Sequence, residues 1–296
     1  MKQVIRSGTY LKRSCCTLVL AVALSTSLVV PALARTAGLR LLQYQSPTSL
    51  TPLQLEIEKQ RQRLNSLEVE ERRDAVMRLG GLGWPEASKA ALAALSDPVP
   101  IVRATAAAAI LSLPGNESAA ALIPLLNDKD EFVRQEASYA LGTTGNRSAV
   151  TPLIERLTTD KKNGVRGAAA TALGQIGDEA AVTVLAQVLS PHGFNQLSRK
   201  ARVRKAKENQ FVLKAVARSL GQTGSRAGVP ALIEALSNDA FPDDVRREAA
   251  RALGLIGDPS AVPALQAATD ARDPYLSRIA YEALRKIAPR EARTPS

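Results

Sequence analysis

Cysteine, histidine and aromatic side chains are scarce in this chain, and each scarcity excludes something. The two cysteines, Cys15 and Cys16, sit side by side near the N-terminus, so the rest of the chain has neither a disulfide nor a thiolate nucleophile. One histidine, His192, stands in a turn between Pro191 and Gly193; a zinc site needs several such ligands, and a triad needs a nucleophile beside its base. Aromatics make up 3% of the residues, too few for a ring-filled core or for base-stacking platforms along a nucleic acid. Alternating Val, Thr and Tyr runs between turns are missing as well, which removes a β-sheet from consideration. Alanine and leucine abound instead, as in closely stacked helices.

The apolar residues follow a repeat. "DDVRREAARALGLIG" (243–257) shares its frame with "EFVRQEASYALGTTG" (131–145) and "NGVRGAAATALGQIG" (163–177). Looser copies run over 70–83, 100–115, 211–224 and 275–288. The apolar residue near the end of each copy falls at Leu79, Ile110, Leu141, Leu173, Leu220, Leu253 and Leu284, in steps of 31, 31, 32, 47, 33 and 31. A period in that range marks stacked supersecondary units. Ala249, Ala252, Leu253 and Ile256 form a helical i, i+3, i+4, i+7 stripe, and Gly254 and Gly257 are expected to close it as C-terminal caps. Asp258 or Ser260 caps the next helix, whose stripe is Ala261, Ala264, Leu265 and Ala268. These glycines follow helices and recur, so they are caps and not a phosphate loop, which needs one glycine-rich turn after a strand.

The frame "VRxxAxxALGxxGxxxAVxxL" over 69–288 resembles the HEAT repeat, in the short alanine-rich form of the phycobilisome bilin lyases. That resemblance implies an all-α, right-handed α-solenoid of six to seven helix pairs. It leaves function open, because scaffolds, lyases and adaptors share the frame.

Around this array the chain divides into segments. Residues 1–34 have Lys2, Arg6, Lys12 and Arg13, an apolar run, Pro31 and Ala32-Leu33-Ala34, the layout of a cleavable signal peptide. An uncleaved anchor formed by residues 14–34 is the alternative. Either way the expected location is extracytoplasmic, such as a periplasm. Removing the leader lowers the net charge from +11 to +7. Residues 35–51 read as a linker, 52–289 as the solenoid and 290–296 as a tail. Thr51-Pro52 starts a capping helix over 52–64, and Asn65 and Glu68 have capping-box spacing for the next.

Two sets of residues stand out within the array. Arg72, Arg103, Arg134, Arg166 and Arg246 share one slot, and Asp97, Asp128 and Asp160 precede three of them by six residues. Equivalent positions stack at a constant offset, so these form a structural ladder between repeats. A guanidinium can serve a carboxylate and backbone carbonyls at once. Leu213 and Ser277 interrupt the slot. The second set lies in the 47-residue step, as an insert near 191–210. There Arg199, Lys200, Arg202, Arg204, Lys205 and Lys207 oppose only Glu208. Insertions in solenoids map to loops on one face, often a binding face, so these six are candidate contacts for an acidic protein; a solvated helix extension is the equal alternative. Asp243-Asp244 and Asp128/Asp130 sit at helix starts, where acids are ordinarily caps.

No catalytic constellation, cofactor site or metal site is expected. The leading expectation is a non-catalytic scaffold or adaptor with a protein partner, without nucleic acid, touching a membrane only through an uncleaved leader. The alternative, implied by the resemblance, is a bilin-lyase-like enzyme or chaperone of chromophore attachment.

Overall fold

Thr51 opens the first helix: its hydroxyl accepts the Gln54 amide at 3.3 Å while the Gln54 side chain accepts the Thr51 amide at 2.9 Å, a capping box with Pro52 at the first helical position. The computed structural model describes residues 50–190 and 209–290, and among them every regular element is helical. After α1 (Pro52–Arg63) come α2 (Val69–Gly81) with α3 (Pro85–Ala91), α4 (Pro100–Ala109) with α5 (Gly115–Leu122), and α6 (Glu131–Thr144) with α7 (Val150–Thr159). Then follow α8 (Asn163–Ile176) with α9 (Val182–Leu189), α10 (Gln210–Thr223) with α11 (Val229–Ser237), and α12 (Asp243–Ile256) with α13 (Val262–Thr269). A last helix, α14 (Pro274–Ile287), has no described partner. The even-numbered helices from α2 to α14 form one layer, A, and the odd-numbered helices from α3 to α13 the other, B.

The core lies between the layers. Each ruler residue, from Leu79 to Leu284, is at most 1% exposed. Burying such a side chain contributes roughly 1.5–3 kcal/mol, so a charge at Leu253 loses that term and adds desolvation. At the N-terminal end Ile57 is buried, and Leu53 and Leu64 pack partly against the same core. The cap expected from Asn65 and Glu68 falls elsewhere. Ser66 accepts the Glu68 amide at 3.1 Å and donates to Glu71 at 2.5 Å, so the turn closes around the shorter side chain. Asp258 makes the cap before α13, accepting the Ser260 amide at 2.9 Å.

The paired glycines turn out to do two different jobs. The second of each pair, such as Gly257 at φ 74°, adopts the left-handed conformation and ends its helix, with its amide donating to the Leu253 carbonyl at 2.9 Å. The first is no cap. Gly142 and Gly221 are helical, and a Cβ there would stand 2.7 Å and 2.8 Å from the Cα atoms of Ala172 and Ala252 in the next A helix. A bare backbone therefore lets neighbouring A helices touch at an alanine.

Candidate interaction surface

The expected ladder residues come together in three rungs. Arg72 donates through Nε and Nη2 to Asp97 at 2.6 and 3.0 Å, and through Nη1 to the Ser66 and Leu67 carbonyls at 3.0 and 3.2 Å. Arg103 holds Asp128 at 2.8 Å through both nitrogens, and Arg134 holds Asp160 at 2.7 and 3.1 Å. In each rung the arginine reaches the aspartate in the turn that leads to the following repeat while its third nitrogen ties down the turn before its own helix. The aspartate also accepts an amide two residues on, as Asp97 does from Val99 at 2.8 Å. These side chains are 3–13% exposed. Burial pushes the Asp97, Asp128 and Asp160 carboxyls up, but the guanidinium and the amide outweigh it and hold all three below the usual carboxylate range.

Arg166 and Arg246 are placed differently from the other three. Arg166 donates to the Leu157 carbonyl at 2.9 Å and has no carboxylate partner among the described residues. The position that would carry its aspartate is Ser190, the C-cap of α9, where the 47-residue step begins. Arg246 donates to the Leu236 carbonyl at 3.0 Å and lies 3.6 Å from Asp243 in its own helix. Its neighbour Arg247 makes the link between repeats, gripping Asp273 at 2.6 and 2.8 Å. Asp273 is the N-cap of α14, and chiefly the Arg247 guanidinium lowers its carboxyl's pKa.

The acidic pairs at helix starts are engaged. Asp130 accepts the Phe132 and Val133 amides at 2.9 and 3.2 Å, and Asp244 lies 3.3 Å from Lys214. Among the described residues no group of three metal-liganding side chains exists, and no helix is long and apolar enough to cross a membrane. The basic candidates, Arg199, Lys200, Arg202, Arg204, Lys205 and Lys207, lie outside the described residues, as do the leader and His192.

The A layer keeps one face uncovered. Two positions before the ladder slot stand Phe132 in α6, Phe211 in α10 and Tyr275 in α14, respectively 44%, 50% and 68% exposed. Further along the same stripe of α6 come Glu136 and Tyr139. Below Phe211 lies Gly167, where a Cβ would meet the ring at 2.1 Å, so the ring rests directly on the α8 backbone. Tyr275 covers the Arg247 guanidinium, 5.2 Å from ring centroid to Cζ. Sequence reasoning passed over these rings although they share one slot of the repeat, because the frame was ruled on its buried residues.

Comparison with known families agrees with this geometry. The HEAT-repeat profile matches residues 57–142, 119–195 and 201–285, and the chain belongs to that family. No curated protein matches it. Among solved structures it is similar to the complex of CpcE and CpcF of phycocyanin lyase from Nostoc sp. PCC7120, with 24% identity, TM-score 0.46, 81% of this chain and 89% of that one. Human deoxyhypusine hydroxylase in complex with glycerol gives 23%, TM-score 0.36, 79% and 96%. A designed armadillo repeat protein in complex with the peptide (KR)4 gives 19%, TM-score 0.42, 78% and 99%.

Proposed function

We propose that this HEAT-repeat chain is a non-catalytic scaffold that binds another protein across the open face of the A layer, outside the cytoplasm. One observation carries the reading: Phe132, Phe211 and Tyr275 expose large rings at one lattice slot in a protein otherwise poor in aromatics. Large rings that recur on one face of alternate A helices supply anchors for an interaction surface, because Phe and Tyr are enriched at the buried centres of interfaces. Solenoids characteristically bind partners over extended concave surfaces. The basic insert adds a second contact, suited to an acidic segment of the partner, and the leader supports export.

The test is retention of a partner from the organism's own envelope fraction by the wild-type chain and by the Phe132→Ser, Phe211→Ser, Tyr275→Ser triple variant. Loss of the partner by a variant that keeps its helical fold, checked by circular dichroism, is the expected result. Undiminished retention by the triple variant removes this face from the proposal. Tetrapyrrole absorbance co-purifying with the chain would favour the lyase-like alternative.

A further inference from the structure

Glu136 and Glu248 occupy the same lattice position, two residues past the ladder slot in α6 and α12. Their surroundings differ. The Glu248 side chain is 6% exposed, and Arg218 from the preceding A helix grips it, Nε to Oε1 at 3.0 Å and Nη2 to Oε2 at 3.3 Å. Arg251, one turn along α12, donates to Oε2 at 2.9 Å. A carboxylate withdrawn from water needs such partners to remain ionised at little cost.

Glu136 has neither arginine. The residue matching Arg218 is Ala108 of α4, which is exposed, and the residue matching Arg251 is Tyr139. Among the described residues Glu136 has no hydrogen-bond or ion-pair partner, although it is half-buried. Burial pushes its carboxyl above the usual range; burial and then the Glu136 charge push up the Tyr139 hydroxyl. Just past α4 the slot of the close-contact glycine is filled by Leu111.

We propose that Glu136 is an arginine-accepting site: a guanidinium from the bound protein lies over Ala108, where Arg218 lies against Glu248, and stacks on Tyr139. The molecule thus contains in α10 and α12 a template of the contact it completes with its partner. Arginine fits better than lysine, because the template is a two-nitrogen fork and the second wall is an aromatic ring. The inference rests on the scaffold reading, and adds to it a basic residue in the partner.

The experiment is an NMR titration of the full chain with acetyl-Gly-Arg-Gly-amide, and with its citrulline counterpart of the same shape without charge. Saturable shifts at Glu136 and Tyr139 are expected with the arginine peptide. Binding should weaken about tenfold or more for citrulline and for Glu136→Gln, since a hydrogen bond to a charged group contributes about 1.5–3 kcal/mol and each 1.4 kcal/mol is about a factor of ten. Ala108→Arg installs the missing side chain from within and should abolish the shifts; arginine at an exposed helical site is a good helix former, and circular dichroism checks the fold. No saturable shift, or equal binding by wild type, Glu136→Gln and Ala108→Arg, overturns the proposal. Partner capture separates the two readings. A partner retained equally by Glu136→Gln leaves the scaffold and sinks the arginine site. A chain that binds the peptide as expected but retains no partner keeps the site and sinks the scaffold.

Discussion

The repeats before the long step and those after it are held together by different pairs. Before it, Arg72, Arg103 and Arg134 each reach a nearly buried aspartate that ends the B-layer segment of their own repeat, in the turn leading to the next. After it, Leu213 and Ser277 vacate the slot and Arg246 turns to a carbonyl. The linking arginine moves one position along, to Arg247, and its acceptor becomes the N-cap of the next A helix, Asp273. Arg247 is 28% exposed, against 9–13% for the ladder arginines. The lesson is that a cation–carboxylate link recurs across most turns of the lattice, while the slot that provides it is free to move. Among the described residues Arg166, where the step intervenes, has no such link.

The sharpest way to break this comparison is to remove one carboxylate on each side of the step. Asp128→Ala leaves Arg103 nearly buried and unpaired and should cost about 3–5 kcal/mol in denaturant unfolding. Asp273→Ala should cost less, because water reaches Arg247. Equal losses would show that burial does not set the difference.

Next in size is the close helix contact that both halves share. Gly142→Ala and Gly221→Ala should each destabilise by about 1–3 kcal/mol in thermal melts, because the added methyl meets backbone in the next helix. Loss at one site alone would mean that one half can shift to make room.

Acid titration tests the same carboxylates. Their folded pKa values lie below the ordinary value of about 3.9, so the unfolded chain binds more protons between those values. Their contribution is therefore full above about pH 4–5 and disappears as pH falls through the depressed folded values. Asp128→Asn should flatten that part of the acid-unfolding curve, read by circular dichroism. An unchanged curve would remove Asp128 from the acid response.

The smallest effects belong to residues off the ladder. Arg166→Gln keeps a donor for the Leu157 carbonyl and should cost about 1 kcal/mol or less. Changing Lys200, Arg204 and Lys207 together to Gln should move stability by less than about 0.5 kcal/mol. If the insert steers an acidic partner, the same change lowers the association rate, and the loss shrinks as salt rises. A melting temperature that falls as far as in an Arg72, Arg103, Arg134 triple glutamine variant would place the insert within the lattice.

Much of the array was legible in the chain because its period is one-dimensional. The buried ruler from Leu79 to Leu284, the Thr51-Pro52 start and the left-handed Gly145, Gly177, Gly224 and Gly257 each depend on neighbours within a few residues. The rungs at Arg72, Arg103 and Arg134 were legible too, since a constant offset turns sequence spacing into contact. Arg166 and Arg246 misled that reasoning because their slot is regular while the next turn is not. The first glycine of each pair looked like a cap because the residue it touches, an alanine or, for Gly174, Ser219, lies about 30 to 45 residues away.

By itself, then, the sequence determined the helical class, the repeat and the residues that face the core, because helical periodicity and helix capping act within a single turn. Only the tertiary structure decided which glycines serve close approach and which arginine completes each link. It also decided that Glu248 is clasped by its own chain while Glu136 has no such clasp among the described residues. Those outcomes depend on what the adjacent repeat presents across a few ångströms, and identical slots therefore acquire different partners.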